Sequence, residues 1–123
     1  MENTLLNYNL IIEEGNYLCF EVFGEYSLVE GKRVLQEIFD KCVCNDACRL
    51  LVDITKKEGI IPDIDRFFLG EFIAKLFTYE IKFAVIGKKD QINKFSETVA
   101  YNRGTRLNIF SDKKEALKWL LNE

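Results

Sequence analysis

The sequence predicts an α/β domain with a mostly parallel sheet, and three observations carry this prediction. The chain has 123 residues, a length that suits one domain spanning residues 1–123. Two strand-like segments near the N-terminus flank a Gly-Asn pair, as in a β-hairpin. From Ile81 onward a strand, a helix, a second strand and a second helix follow one another with short connections. This alternation is typical of parallel sheets with helices on their faces.

Composition excludes several classes of protein. Apolar residues make up 48% of the chain and charged residues 30%, as in soluble globular proteins. The net charge of −3 gives no basic field, so we expect no nucleic-acid partner. No apolar run approaches 18 residues, so we expect no integral membrane segment. The first residues lack the features of a signal peptide, and we expect a cytoplasmic location.

The chain contains no histidine. Histidine is the commonest general base and the commonest transition-metal ligand, so its absence removes the usual Ser-His and Cys-His catalytic pairs. No other catalytic motif stands out. We therefore expect no enzymatic activity and no cofactor.

The first half of the chain predicts a hairpin, a helix and a buried strand. Residues 8–13 and 17–23 form the two strands of the hairpin, and Gly24 is expected to end the second. Ser27-Leu-Val-Glu30 has the pattern of a capping box, which predicts a helix from there to about Asn45. The apolar run 48–54 suits a strand that is buried on both faces.

The second half completes the order ββαβαβαβα. Residues 55–63, which include the single proline of the chain, are expected to be irregular, and residues 64–78 to be helical. Strands are predicted at 81–87 and 106–110, with helices led by Asp90 and by Ser111-Asp112. The three crossover strands should lie parallel to one another.

Several of these segments resemble a known family. Phe110-Ser-Asp-Lys-Lys-Glu-Ala-Leu-Lys-Trp-Leu121 is similar to the closing strand and helix of SpoIIAA-like proteins, the STAS and SEC14-type domains. Residues 65–70 and 94–104 resemble an uncharacterised bacterial branch of that family. The resemblance covers about residues 8 to 121 and implies a single SpoIIAA-like domain.

The resemblance also implies a non-enzymatic regulatory module that docks a protein partner or a second copy of itself. In anti-sigma-factor antagonists, a serine that opens the helix after the central strand is phosphorylated to switch partners. Here that helix opens with Pro62-Asp-Ile-Asp-Arg66, which has no Ser or Thr. We therefore expect docking without the serine phospho-switch. A SEC14-like carrier of a small apolar or lipid ligand is the alternative, and a small enzyme using Asp53 and Asp65 is a weaker one.

The cysteines form a cluster that could suggest a metal. Cys42, Cys44 and Cys48 are irregularly spaced, and Cys19 lies on a distant strand. Structural zinc needs four ligands, usually in closely spaced pairs. Cys42 and Cys48 also fall at positions that the helix and strand patterns require to be apolar. We expect buried thiols and no metal.

Two groups of polar residues are candidates for binding. Thr55, Lys56 and Lys57 leave the carboxyl end of a central strand, where open α/β sheets place their ligands. The lysines could meet an anion there, but we favour a solvated loop, because the helix that follows begins with Asp, which would repel an anion. A second candidate polar site consists of Asp53, Asp65, Asn102 and Arg103.

The helix from Ile64 gives the best indication of a surface. Helical spacing assigns Ile64, Phe67 and Phe68 to its outer face or beside it. Exposed aromatic side chains suggest a partner or ligand surface. The alternative is that residues 60–62 fold over them. A core-facing stripe is predicted on the other side, at Leu69, Phe72, Ile73, Leu76 and Phe77.

Overall fold

The computed structural model describes residues 5–11, 17–77, 80–91 and 104–122. Five strands and three helices are found there, with a 3₁₀ turn at Lys89–Gln91. The strands are β1 (Asn7–Ile11), β2 (Leu18–Glu25), β3 (Arg49–Glu58), β4 (Lys82–Ile86) and β5 (Arg106–Phe110). The helices are α1 (Leu28–Cys44), α2 (Asp63–Leu76) and α3 (Lys113–Leu121).

The strands form one sheet in the order β1-β2-β3-β4-β5. β1 pairs with β2 antiparallel, and every other neighbouring pair is parallel. The prediction of an N-terminal hairpin followed by βα units and a mostly parallel sheet is therefore confirmed. The predicted turn at residues 14–16 lies outside the described residues, and so does most of the helix predicted after Asp90.

Helices cover both faces of the sheet. On one face, Ile38 of α1 and Ile73 of α2 belong to the same buried core cluster as Phe20 and Phe83 of the sheet. On the other face, α3 packs through Ala116 and Leu120. The central strands are buried on both sides, which explains why their sequences are continuously apolar.

β3 is longer than its sequence predicts. The predicted strand ended at Ile54, but pairing with β2 continues to Glu58 after a register shift. Between the Glu21–Asp53 and Phe23–Lys56 pairs, β3 has one residue more than β2, as in a β-bulge. Lys56 and Lys57 therefore lie in a strand and not in the irregular loop predicted for them.

Gly24 does not end β2, which continues to Glu25. Its φ of 96° lies in the left-handed region, and a Cβ there would be 2.3 Å from the backbone oxygen of Leu5. The glycine therefore lets the N-terminal segment cross close to β2, where Leu5 and Glu25 form an isolated bridge.

Two helix starts are capped as predicted. Ser27 Oγ accepts a hydrogen bond from the Glu30 amide at the start of α1, and Asp112 Oδ2 accepts one from the Glu115 amide at the start of α3. None of the helices in the described ranges combines the length and apolar character needed to cross a bilayer.

Candidate functional site

The start of α2 is held by side chains from several elements. Pro62 occupies the N-cap position and supplies no capping side chain. Arg66 donates hydrogen bonds to the carbonyl oxygens of Ile61, at 3.1 Å, and Gln91, at 2.7 Å. On another side, the Tyr26 hydroxyl donates to Asp65 Oδ2 at 3.0 Å. The first turn of α2 is thereby tied to the preceding loop, to the turn after β4 and to the segment between β2 and α1.

Apolar side chains near this end of α2 are exposed. Ile60 is 72% exposed, Ile64 60% and Phe68 40%, and we call these three residues the α2 patch. Ile64 and Phe68 lie one helical turn apart and share a face. Residues 60–62 leave both side chains open to solvent, as the outer-face prediction required. Phe67 is half-buried, with its ring centroid 5.8 Å from that of Phe68.

The predicted core stripe of α2 is only partly buried. Leu69, Ile73 and Phe77 are buried as expected. Phe72 and Leu76 are half-buried instead. Lys32 of α1 lies over the Phe72 ring, 5.7 Å from its centroid, so the side chain packs at the edge of the α1–α2 contact.

A cavity of about 130 Å³ lies between the sheet and the helices α1 and α2. Most of the residues that line it are aliphatic, and Phe67, Phe68 and Phe72 are absent from its walls. The lining includes Val34, Leu35 and Ile38 of α1, Leu69 and Ile73 of α2, and Val52, Ile54, Phe83, Val85, Leu107 and Ile109 of the sheet.

Two basic residues, Lys57 and Arg66, line this largely apolar cavity. Lys57 is only 5% exposed, and its Nζ donates to the carbonyl oxygen of Gly59 at 2.5 Å. Arg66 contributes to the same wall, and both residues also line a smaller recess that includes Lys88. Burial lowers the pKa of Lys57 below its usual value, and the charges of Lys88 and Arg66 lower it further, while Glu25 opposes them. This end of the cavity is electropositive.

The predicted polar residues do not form one cluster. Asp53 Oδ1 accepts from the Thr55 amide, at 2.8 Å, and from the Thr55 hydroxyl, at 2.6 Å. Asp65 is bonded to Tyr26 instead. Asn102 and Arg103 lie outside the described residues.

The two adjacent lysines of β3 have different environments. Lys56 is exposed, and its Nζ lies 3.1 Å from Glu21 Oε1 in a surface ion pair. Lys57 is buried in the cavity wall. Of the residues grouped together as Thr55, Lys56 and Lys57, Lys57 alone lines the cavity.

The cysteines are separated by burial. Cys19 and Cys42 are buried, whereas Cys44 and Cys48 are exposed. The prediction of buried thiols is therefore wrong for Cys44 and Cys48; Cys48 lies just before β3, which begins at Arg49. Within the described parts of the chain, no three acidic or thiol side chains are grouped so that they could hold a metal ion.

Tyr26, Arg66 and the aliphatic lining were not predicted as site residues. Their roles depend on contacts between elements far apart in the sequence, such as Arg66 with Gln91 and Tyr26 with Asp65. The one local signal was the position of Arg66 in the first turn of a helix that follows a central strand. That position places a cation at the ligand-binding edge of an α/β sheet.

No protein-family model and no curated protein matches the chain. Solved structures do match. An anti-sigma factor antagonist from Mycobacterium paratuberculosis has a TM-score of 0.66 at 14% identity, with 96% of each chain covered. An uncharacterised DUF3478-family protein with a SpoIIAA-like fold from Shewanella loihica PV-4 has a TM-score of 0.57 at 20% identity, with 98% of each chain covered. This chain has the SpoIIAA-like fold.

Proposed function

We propose that this chain is a non-enzymatic, STAS-like interaction module that docks a protein through the α2 patch. The observation that carries the proposal is the exposure of Ile60, Ile64 and Phe68 beside the start of one helix. Large apolar side chains grouped on a surface favour burial against a partner, because burial removes apolar area from water. The partner is another protein or a second copy of this chain.

The position of the patch supports docking. It follows the carboxyl end of β3, at the edge where α/β sheets carry their binding sites. The mycobacterial structure with the same fold is by its name an antagonist of an anti-sigma factor, so that protein acts on another protein. An equivalent use of the same fold by this chain requires an exposed surface, and the α2 patch supplies one.

Docking in this chain does not use the serine phospho-switch. The first turn of α2 contains Asp63 and Asp65, and its N-cap is Pro62, so no hydroxyl is available there. Thr55 is the nearest hydroxyl upstream, and it donates to Asp53 within β3. We infer that regulation, where present, acts through something other than a phosphate on this turn.

The alternatives of a lipid carrier and of a small enzyme find less support. A carrier of a whole lipid needs a pocket in the usual ligand range of about 300–1,000 Å³. The observed cavity of about 130 Å³ is well below that range. An enzyme using Asp53 and Asp65 needs the two carboxylates to act together, yet each has its own hydrogen-bond partner on a different element.

The test compares two charge substitutions on the same helix. Phe68→Asp should abolish binding to the native partner, or self-association measured by sedimentation velocity, because it introduces a charge into the patch. Lys75→Asp is the control, since Lys75 is also exposed on α2 but does not belong to the patch. Far-UV circular dichroism should show the same fold for both variants.

Comparing the binding of the two variants distinguishes support for the proposal from its contradiction. Loss of the complex with Phe68→Asp alone supports the proposal. Equal binding by both variants contradicts it. If Phe68→Asp fails to fold, Ile64→Lys takes its place, because Ile64 is the more exposed of the two side chains.

A further inference from the structure

We propose that the cavity between the sheet and α1–α2 binds a small apolar carboxylate. Its hydrocarbon part would occupy the aliphatic interior, and its carboxylate would meet Lys57 and Arg66. This inference goes beyond the docking proposal and does not rest on it, because the cavity and the α2 patch share none of their residues.

The interior sets the size of the hydrocarbon part. Val34, Ile38 and Ile73 are buried members of the core, and they line the cavity. An engineered apolar cavity of about 150 Å³ in another protein stays dry and binds benzene. A volume of about 130 Å³ therefore suits a group of that size, such as a phenyl ring or a short alkyl chain.

The end of the cavity lined by Lys57 and Arg66 favours a negatively charged ligand group. Lys57 is buried, and in the described structure its hydrogen-bond acceptor is a neutral carbonyl oxygen. Burying an ammonium group is costly unless an opposite charge compensates it. Arg66 and Lys88 add positive charge nearby, and Glu25 is the acidic side chain whose charge acts on Lys57. A ligand carboxylate would add a second opposite charge beside Lys57.

The geometry favours a carboxylate joined to an apolar group over either part alone. Arg66 donates to the carbonyl oxygens of Ile61 and Gln91, and its positive charge lies in the same wall as Lys57. The apolar walls would not retain a free inorganic anion. A neutral molecule of the same size would add no opposite charge beside Lys57.

The experiment is a titration of the full chain followed by methyl NMR, with binding constants from calorimetry. The probes are hexanoate, phenylacetate, the neutral isostere 1-hexanol and inorganic phosphate. At least one of the two carboxylates should bind at least tenfold more tightly than hexanol or phosphate. The methyl signals of Val34, Ile38 and Ile73 should shift, while that of the exposed Val29 should not.

Adjacent lysines provide the matched variants. Lys57→Met should weaken carboxylate binding at least tenfold, because it removes the buried cation and keeps the length of the side chain. Lys56→Met should change binding less than twofold, since Lys56 is exposed and pairs with Glu21. If Lys57→Met does not fold, Val85→Phe, which fills the cavity, should abolish binding instead.

Several results would overturn the inference. Binding of hexanol as tightly as both carboxylates would show a purely apolar cavity, and equal binding of phosphate would show an anion site separate from it. No shift of the cavity methyls at millimolar carboxylate would refute the site. Phe68→Asp should bind the carboxylate like the unaltered chain, so a failure of the docking proposal is distinguishable from a failure here.

Discussion

The Tyr26 hydroxyl donates a hydrogen bond to Asp65 Oδ2 at 3.0 Å, and this contact joins the segment before α1 to the first turn of α2. The ring of Tyr26 lies against Gly31 of α1, where a Cβ atom would be 3.2 Å from Cε1 of the ring. The same ring lines the cavity. Tyr26 therefore links the start of α2 to the segment before α1, and it also lines the cavity.

Tyr26→Phe should lower the free energy of unfolding by about 1 kcal/mol, because it removes one half-buried hydrogen bond and keeps the packing of the ring. The pKa of Tyr26 is raised above its ordinary value of 10.0, first by burial and then by the hydrogen bond to Asp65. The folded state therefore holds this proton more tightly than the unfolded state. The corresponding stability is present below pH 10 and is lost as the pH rises above it.

Urea unfolding at pH 7 and at higher pH measures both effects. The unaltered chain should lose more stability on going above pH 10 than Tyr26→Phe does. Asp65→Asn is the comparison, because its side-chain oxygen can still accept the hydrogen bond without the charge. Equal stability of Tyr26→Phe and the unaltered chain at pH 7 would contradict the role assigned to this contact.

Elements with strong local signals were predicted well from the sequence. α1 begins one residue after Ser27, whose hydroxyl accepts from the Glu30 amide as the capping pattern requires. β5 has the predicted bounds, Arg106–Phe110. Helical periodicity placed Ile64, Phe67 and Phe68 on or beside the outer face of α2, and Ile64 and Phe68 are exposed whereas Phe67 is half-buried. In each case the determining interaction lies within a few residues of the signal.

The rest depends on contacts between distant segments. The extension of β3 through Lys57 requires that β2 continue past Gly24, and nothing in the sequence near residue 57 shows this. Its consequence is large, because the extension moves Lys57 from a predicted loop into the wall of a cavity. The hydrogen bond from Arg66 to Gln91 is likewise a property of the assembled sheet edge.

Gly24 and Gly104 have nearly the same φ, 96° and 91°, but different surroundings. A Cβ at position 24 would overlap the backbone of Leu5, whereas position 104 has open space. Gly104→Ala should therefore cost only the backbone strain, about 1–2 kcal/mol. Gly24→Ala should cost clearly more, because the N-terminal segment must also move away from β2.

Urea unfolding of the two alanine variants tests this difference. The expected order of stability is unaltered chain, Gly104→Ala, Gly24→Ala. Equal losses in both variants would show that the segment around Leu5 adapts without cost and that φ alone matters. The pair is informative because the substitution is the same and the backbone strain is matched.

Thiol reactivity should separate the four cysteines into two pairs. Cys44 and Cys48 are exposed and should react rapidly with a thiol reagent at pH 8. Cys42 is buried, and burial raises its pKa to about 11. It should react only as fast as the chain opens, and so should the buried Cys19. Mass spectrometry after brief labelling should show two modified thiols, and four after unfolding in urea.

Basic side chains from the sheet donate hydrogen bonds to carbonyl oxygens at the C-terminal end of α3. Nζ of Lys82 on β4 donates to the carbonyl oxygens of Trp119, at 2.5 Å, and Asn122, at 2.6 Å, and it lies 4.5 Å from the centroid of the Trp119 ring. Arg49 on β3 donates to the Leu120 carbonyl at 3.1 Å. The last carbonyl groups of a helix have no hydrogen-bond partner within the helix. A cation at that end also interacts favourably with the helix dipole.

Lys82→Met should lower the free energy of unfolding by about 2 kcal/mol, because it removes charged hydrogen bonds from a buried position. Hydrogen exchange should accelerate for the α3 amides more than for those of α1, since α3 would separate from the sheet first. Lys118→Met is the control, because Lys118 is on α3 itself and is exposed, so its loss should change stability by less than about 0.5 kcal/mol. If the two variants lose stability equally, or exchange accelerates uniformly along the chain, Lys82 does not anchor the end of α3.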